Sequence, residues 1–222
     1  MDPNTYVKKW YGSNEPTLAD KLRGIFKGGG REPLARRAIM AHYRLRSALG
    51  RVKSYIDKLG ERDKELFEKA VEALMRRDEP HAKIYVNEVA EIRKVARQLL
   101  VVEYVLEQAS IRLETFVILG NAFSDIVPVV GVIKEASGLL KGIAPDVWID
   151  LNMAVNELNM VMAASGIDLM GPEGGITMSE EARKIFEEAK IVAEQRMKER
   201  FPELPTLLTT NKENVDTATQ AP

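Results

Sequence analysis

The chain of 222 residues contains no cysteine, which excludes disulfides, thiolate metal sites and thiol nucleophiles. Histidine is almost as scarce, because only His42 and His81 are present. The sequence also lacks a P-loop, a G-x-G-x-x-G motif after a strand and a nucleophile elbow. These absences predict an intracellular protein that is not an enzyme and that uses no cofactor and no metal.

Long apolar runs are also missing. No stretch of roughly 18 uncharged apolar residues occurs, so no membrane-spanning helix is expected. The first residues, with Asp2, Lys8 and Trp10, lack the apolar segment of a signal peptide. No segment is rich in the alternating pattern of β-strands, and no internal repeat recurs at a fixed period. An all-α protein of one or two domains is therefore expected.

The charges that are present are distributed unevenly. Residues 1–58 hold 13 Lys/Arg and 5 Asp/Glu, a net charge of +8, out of the 32 and 33 in the whole chain. The remaining residues carry 19 basic and 28 acidic side chains, a net charge of −9. A chain built this way can bind a polyanion with its basic end and restrain that end with its acidic part.

Two long helices are predicted, over residues 33 to about 77 and 80 to about 120. Apolar residues along both recur in steps of three and four, which is typical of a coiled-coil seam. Gly60 is a weak point at which the first helix is expected to bend. At 1.5 Å per residue each arm is about 60 to 68 Å long. Two such helices in an antiparallel hairpin leave much lateral surface, so further helices or other copies of the chain are expected to cover it.

Shorter helices are predicted after the hairpin, at about 131–141, 145–164 and 179–201. Glycine and proline punctuate the region from 120 to 145 and predict hinges there. The fold class is therefore all-α, a long antiparallel helical hairpin with shorter C-terminal helices packed on it. The expected order is a flexible lead with a short basic amphipathic helix (1–30), a helical core (31–165), a linker (166–178), a C-terminal helix (179–201) and a disordered tail (202–222).

Basic residues near the start form a candidate surface for an anionic membrane. Residues 33 to 58 hold seven Lys/Arg against Asp57 alone, and each cation near an anionic leaflet contributes about 1 kcal/mol. The short amphipathic helix at 17–27 would lie in the headgroup layer. The candidate membrane-binding residues are Lys21, Leu22, Arg23, Ile25, Phe26, Lys27, Arg36, Arg37, Arg44 and Arg51.

Other interpretations of these residues stay open. The short helix could dock on the bundle, and the arginines could form salt bridges with the acidic second arm or with a neighbouring subunit. Nucleic acid would feel the same positive field, but no helix-turn-helix spacing, zinc site or aromatic stacking pattern points to it. A helical coiled-coil adaptor or nucleic-acid-associated protein without a membrane role is the alternative function.

Several segments resemble the hairpin of ESCRT-III proteins, above all archaeal cell-division protein B and its paralogues. They are AVEAL at 70–74, AKIYVNEVAEIRK at 82–94, LEQ at 106–108, RLET at 112–115 and AEQRMKERFP at 193–202. The resemblance covers about residues 33–201. No winged-helix segment follows residue 175, so one of the shorter paralogues is expected and not the founding member.

The resemblance implies a non-enzymatic subunit that polymerises, alone or with paralogues, on the cytoplasmic face of the membrane. Such filaments remodel or constrict membrane in archaeal cell division or vesicle scission. An acidic C-terminal region folds back to hold the subunit closed, and the hinges between 120 and 145 are where opening is expected.

The resemblance also implies that an AAA ATPase of the vacuolar-sorting type removes subunits from the polymer. Its candidate contacts lie near the end of the chain. Arg196, Met197 and Phe201 loosely resemble a helical recognition motif. Leu204 and Pro205 match the core of an extended motif whose second proline is absent here.

Overall fold

The computed structural model describes residues 34–119, 126–164 and 180–201. In these ranges the chain forms helices and no strand, which confirms the predicted all-α class. The helices are α1 Leu34–Met75, α2 Glu79–Leu119, α3 Ile126–Leu140, α4 Pro145–Ala164 and α5 Glu180–Arg200. The predicted helix at 17–27, the linker at 166–178 and the tail from 202 lie outside the described residues.

Helices α1 and α2 end within two residues of their predicted bounds. The stripe of apolar residues continues through Gly60, and α1 stays one uninterrupted helix there. A Cβ atom at Gly60 would meet nothing within 4 Å, so this glycine is not required by a close neighbour. None of the described helices combines the length and the apolar composition that crossing a bilayer needs.

The turn between α1 and α2 is built from the backbone. The N–H of Arg77 donates to the carbonyl of Leu74 at 2.9 Å, and the N–H of Asp78 donates to the carbonyl of Ala73 at 2.9 Å. This pair of bonds is the Schellman motif, which closes a helix through one residue in the left-handed region. Arg77 is that residue, with a φ of 60°.

Asp78 then caps α2. Its carboxylate accepts a hydrogen bond from the backbone N–H of His81 at 3.4 Å, and its other oxygen lies 2.8 Å from His81 Nδ1. A side-chain oxygen in this position satisfies one of the unpaired N–H groups at the start of a helix. The hydrogen bond from the His81 ring lowers the pKa of Asp78.

Replacing Arg77 by glycine is expected to stabilise the chain by about 0.5–1 kcal/mol, because glycine adopts a positive φ without a steric penalty. Arg77→Val should destabilise it, since a β-branched residue is a poor fit to this conformation. Urea denaturation of the two variants beside the parent measures both effects. Equal midpoints for glycine and valine would show that the turn is not strained at this position.

The start of α3 differs from the prediction. This helix begins at Ile126 and passes through Pro128, Gly131 and Gly138, so these three residues do not interrupt the helix in this conformation. Pro128 lies in the first turn, where a missing N–H costs nothing because no helical acceptor is available. Gly142 lies in the short turn between α3 and α4. Helices α3 and α4 pack against each other.

The chain divides into two compact units. Of the described residues, unit 1 contains 34–53, 102–119, 126–164 and 180–189, and unit 2 contains 54–101 and 190–201. Alanine recurs where α1 is buried in unit 1, at Ala38, Ala41 and Ala48. Larger side chains fill the rest of that core, including Leu106, Leu113, Phe116, Ile133, Leu140, Leu151 and Leu158. The core of unit 2 includes Ile56, Leu66, Val89, Leu99, Met197 and Phe201.

Candidate functional site on the basic arm

Three arginines of α1 form a row in unit 1. Arg37, Arg44 and Arg51 recur every seven residues, which puts them on the same side of the helix. From residue 34 to residue 56, α1 carries no Asp or Glu. The arginine row is therefore a concentration of positive charge that its own helix does not compensate.

Helix α4 supplies the compensating charge. Arg37 Nη1 donates to Glu157 Oε2 at 2.9 Å, and Arg44 Nη1 lies 3.8 Å from Asp150 Oδ1. Arg51 pairs with Asp150 through Nη2. Its Nε also lies 3.6 Å from Asp146 Oδ2. The acidic row Asp146, Asp150 and Glu157 thus covers the arginine row, with the two helices running in opposite directions.

The sequence left open whether these arginines form salt bridges. The charge of Arg37, Arg44 and Arg51 is locally compensated, and the alternative of salt bridging describes these side chains in this conformation. The partner is α4, however, and not the second arm. Lys53 does pair with that second arm, through Glu107 of α2 at 2.7 Å and the buried Glu103 at 4.0 Å.

The pairing of the two rows is incomplete at Arg44. Its ion pair with Asp150 is long, and its Nη1 also lies 3.4 Å from Met153 Sδ. Its Nε atom is buried and has no hydrogen-bond partner within the described part of the chain. A buried unpaired donor costs about 1–3 kcal/mol. The guanidinium of Arg44 therefore keeps hydrogen-bonding capacity that α4 does not use.

The row is partly open to solvent. The three arginine side chains retain between 26% and 37% of their exposure. Salt bridges at such half-exposed positions contribute about 0–1 kcal/mol each. Arg36, the fourth predicted cation of α1, is exposed on another side of the helix. The predicted residues Lys21, Leu22, Arg23, Ile25, Phe26 and Lys27 lie outside the described residues.

The acidic row is the part of the site that the sequence analysis did not identify. Asp146, Asp150 and Glu157 follow one another at spacings of four and seven, so they share one side of α4. The arginines of α1, at steps of seven and seven, likewise share one side of their helix. The signal lies in the comparison of two helices that are about a hundred residues apart in the sequence.

Candidate contacts for the ATPase lie at the end of α5. Met197 and Phe201 are buried in the core of unit 2, and Arg196 is half-buried. Within that unit, Arg97 Nε lies 2.6 Å from Glu194 Oε1, and Arg200 Nη1 lies 3.4 Å from Asp57 Oδ1.

In unit 1 the beginning of α5 is held by the pair of Arg112 and Glu181. In unit 2, Met197 and Phe201 would become accessible to a partner only if the end of α5 left the core of that unit. Leu204 and Pro205 lie outside the described residues.

His42 marks the seam between α1 and α2 in unit 1. Its Nε2 lies 3.2 Å from Ser110 Oγ. Burial lowers the pKa of His42, with Glu114 opposing this shift and Arg46 adding to it. Across the described ranges, the His, Asp and Glu side chains form no group that could hold a metal ion.

Three proteins of Sulfolobus acidocaldarius are similar to this chain. Cell division protein B1 is 47% identical over 176 residues, which is 79% of this chain and 82% of that protein. Cell division protein B is 29% identical over 190 residues, 85% of this chain and 73% of that protein. Cell division protein B3 is 31% identical over 120 residues, which is 54% of this chain and 69% of that protein. No family profile and no solved structure matches the chain.

Proposed function

The chain belongs to the archaeal cell division protein B family, and we propose that it acts in cell division as an ESCRT-III-like subunit. It polymerises, alone or with paralogous subunits, on the cytoplasmic face of the membrane at the division site. The filaments remodel or constrict that membrane, and an AAA ATPase of the vacuolar-sorting type disassembles them. The subunit itself is not an enzyme and takes no cofactor.

The observation that carries this proposal is the arginine row under the acidic row. Cations that would hold a filament subunit on an anionic membrane are present at heptad spacing and are engaged by α4 of the same chain. In this proposal, the described conformation is the closed state of the subunit. Displacing α4 frees the row for lipid phosphates.

The closed state and the membrane-bound state are close enough in free energy for the subunit to switch between them. Each arginine gains about 1 kcal/mol near an anionic leaflet, and each half-exposed salt bridge to α4 contributes about 0–1 kcal/mol. The unpaired Nε of Arg44 lowers the stability of the closed state further. An anionic surface that presents many phosphates at once therefore competes with α4 for the row.

The purified full chain is expected to sediment with vesicles that contain an acidic phospholipid and to remain in solution with vesicles of phosphatidylcholine alone. Sedimentation should fall steeply as salt rises towards 1 M, where the Debye length is about 3 Å. Negative-stain electron microscopy of the vesicle-bound sample should show filaments. A variant with glutamine in place of the arginine row Arg37, Arg44 and Arg51 should sediment less. The matched control replaces three exposed cations elsewhere by glutamine, namely Lys64, Lys69 and Lys83.

A chain that neither sediments with acidic vesicles nor forms filaments would contradict the proposed function. Binding of duplex DNA by the same sample, without any affinity for vesicles, would instead support the nucleic-acid-associated alternative. Equal loss of sedimentation in the arginine variant and in its lysine control would show that net charge acts and the row does not.

A further inference from the structure

Two exposed stripes in unit 1 take no part in the site described above. On α1, Ile39 and Tyr43 retain 50% and 68% of their exposure, and the exposed Arg46 follows one turn later. On α2, Ile111 and Ile118 retain 60% and 72%, with the exposed Glu114 between them. Each stripe follows helical spacing, so its three side chains lie on one side of their helix.

The stripes lie beside each other across the seam of α1 and α2. His42 contacts Ser110 there, and Tyr43 and Ile111 are the next residues along the two helices. Both Arg46 and Glu114 act on the charge of His42, with opposite signs, which places both near this contact. The surface therefore has apolar side chains with one cation on its α1 side and one anion on its α2 side.

The chemistry of this surface favours a protein partner. Several large apolar side chains exposed together mark an interaction site. Glu114 between two isoleucines would be repelled by an anionic bilayer and by nucleic acid, both of which the arginine row suits better. A partner that matches both stripes must offer an anion with apolar neighbours to α1 and a cation with apolar neighbours to α2.

A second copy of this chain meets both requirements. We propose that Ile39, Tyr43 and Arg46 of one subunit dock against Ile111, Glu114 and Ile118 of another. The contact puts the two opposite charges together and buries the isoleucines and the tyrosine. This inference rests on the proposed function, because the contact is one of those that join subunits in the polymer. Both stripes are exposed in the closed state, so the contact does not require α4 to move.

Charge reversal on each stripe tests this contact in the full chain. Arg46→Glu puts like charges opposite Glu114 of the neighbour, and Glu114→Arg does the same opposite Arg46. Like charges across an interface oppose association, so each variant alone should self-associate about tenfold or more weakly than the parent. Analytical ultracentrifugation over a range of concentrations measures this.

An equimolar mixture of the two variants should recover the association of the parent chain. Glutamate at 46 in one variant then faces arginine at 114 in the other, and the charges are again complementary. This recovery separates the contact from misfolding, because mixing cannot repair a chain that fails to fold. Ile118→Ser should also weaken association, and no charge variant should rescue it.

Matched controls lie on the same helices in unit 2. Lys69→Glu on α1 and Glu88→Lys on α2 reverse exposed charges and should leave self-association unchanged. The contact is rejected if Arg46→Glu and Glu114→Arg associate like the parent, if their mixture shows no recovery, or if the parent stays monomeric. Vesicle sedimentation of the parent tests the proposed function separately, since the arginine row is not part of the stripes.

Discussion

Asp63→Ala is expected to lower the free energy of unfolding by about 3–5 kcal/mol, the typical loss when one partner of a buried ion pair is removed. Arg93 Nε donates to Asp63 Oδ1 at 2.7 Å, and Arg93 Nη2 donates to Asp63 Oδ2 at 2.9 Å. Asp63 retains only 4% of its exposure. Without the carboxylate, the partly buried guanidinium of Arg93 loses the counter-charge that both hydrogen bonds reach.

Urea denaturation measures this loss as a lower midpoint with an unchanged slope. The matched control is Arg62→Ala at the preceding residue, because the pair of Arg62 and Glu65 is exposed. Exposed pairs contribute about 0–1 kcal/mol, so the control should change the midpoint little. Similar midpoints for the two variants would contradict the importance of the buried pair.

Within unit 2, the same pair favours one register of α1 on α2. A shift of one residue turns a side chain about 100° around its helix, so the two hydrogen bonds form in one register only.

Replacing both partners, as Asp63→Leu with Arg93→Met, should recover most of the stability, since apolar substitutes for a buried pair are often neutral or stabilising. Recovery in the double variant would show that the loss in Asp63→Ala comes from the unpaired arginine.

The sequence was sufficient to predict the hairpin because the signals for its two helices are local. Steps of three and four along α1 and α2, with Asp78 and Pro80 at the turn, place both helices and their ends. The predicted start of α3 was wrong because packing overrides the local signals there. Pro128 and Gly131 indicate a break, but a proline in the first turn is compatible with a helix, and the packing of α3 on α4 outweighs the low helix propensity of glycine.

The site was predictable only in part. The heptad of Arg37, Arg44 and Arg51 is visible in the sequence, whereas its cover by α4 depends on which distant helix packs beside it. Asp63 and Arg93 look like members of ordinary solvated faces, and nothing local shows that Asp63 is buried or that Arg93 pairs with it. Met197 and Phe201 follow the apolar stripe of α5, which is equally compatible with a recognition motif and with the core that they occupy.

Neutralising the acidic row is expected to raise the affinity of the full chain for acidic vesicles by about 10-fold to 100-fold. The triple variant Asp146→Asn, Asp150→Asn and Glu157→Gln removes the competitor of the lipid phosphates. Three arginines that each gain about 1 kcal/mol near the membrane account for the upper value. Buried apolar residues of α4 such as Leu151 and Leu158 still hold this helix in place, which accounts for the lower value.

The control for net charge is a second triple variant, in which Glu135, Glu180 and Glu188 become glutamine. These acids are exposed in the same unit, and their removal changes the net charge by the same amount. Vesicle sedimentation over a range of lipid concentrations compares the two variants with the parent. Equal gains would show a general effect of charge and would contradict the closed state proposed for α4.

The gain must also depend on the arginines themselves. Adding Arg37→Gln, Arg44→Gln and Arg51→Gln to the neutralised acidic row should return sedimentation to the level of the parent or below it, because the cations that α4 releases are then missing. A chain that keeps its gain without the row would bind the membrane through other residues. In that case the pairing of the two rows would serve the stability of unit 1 and would not control membrane binding.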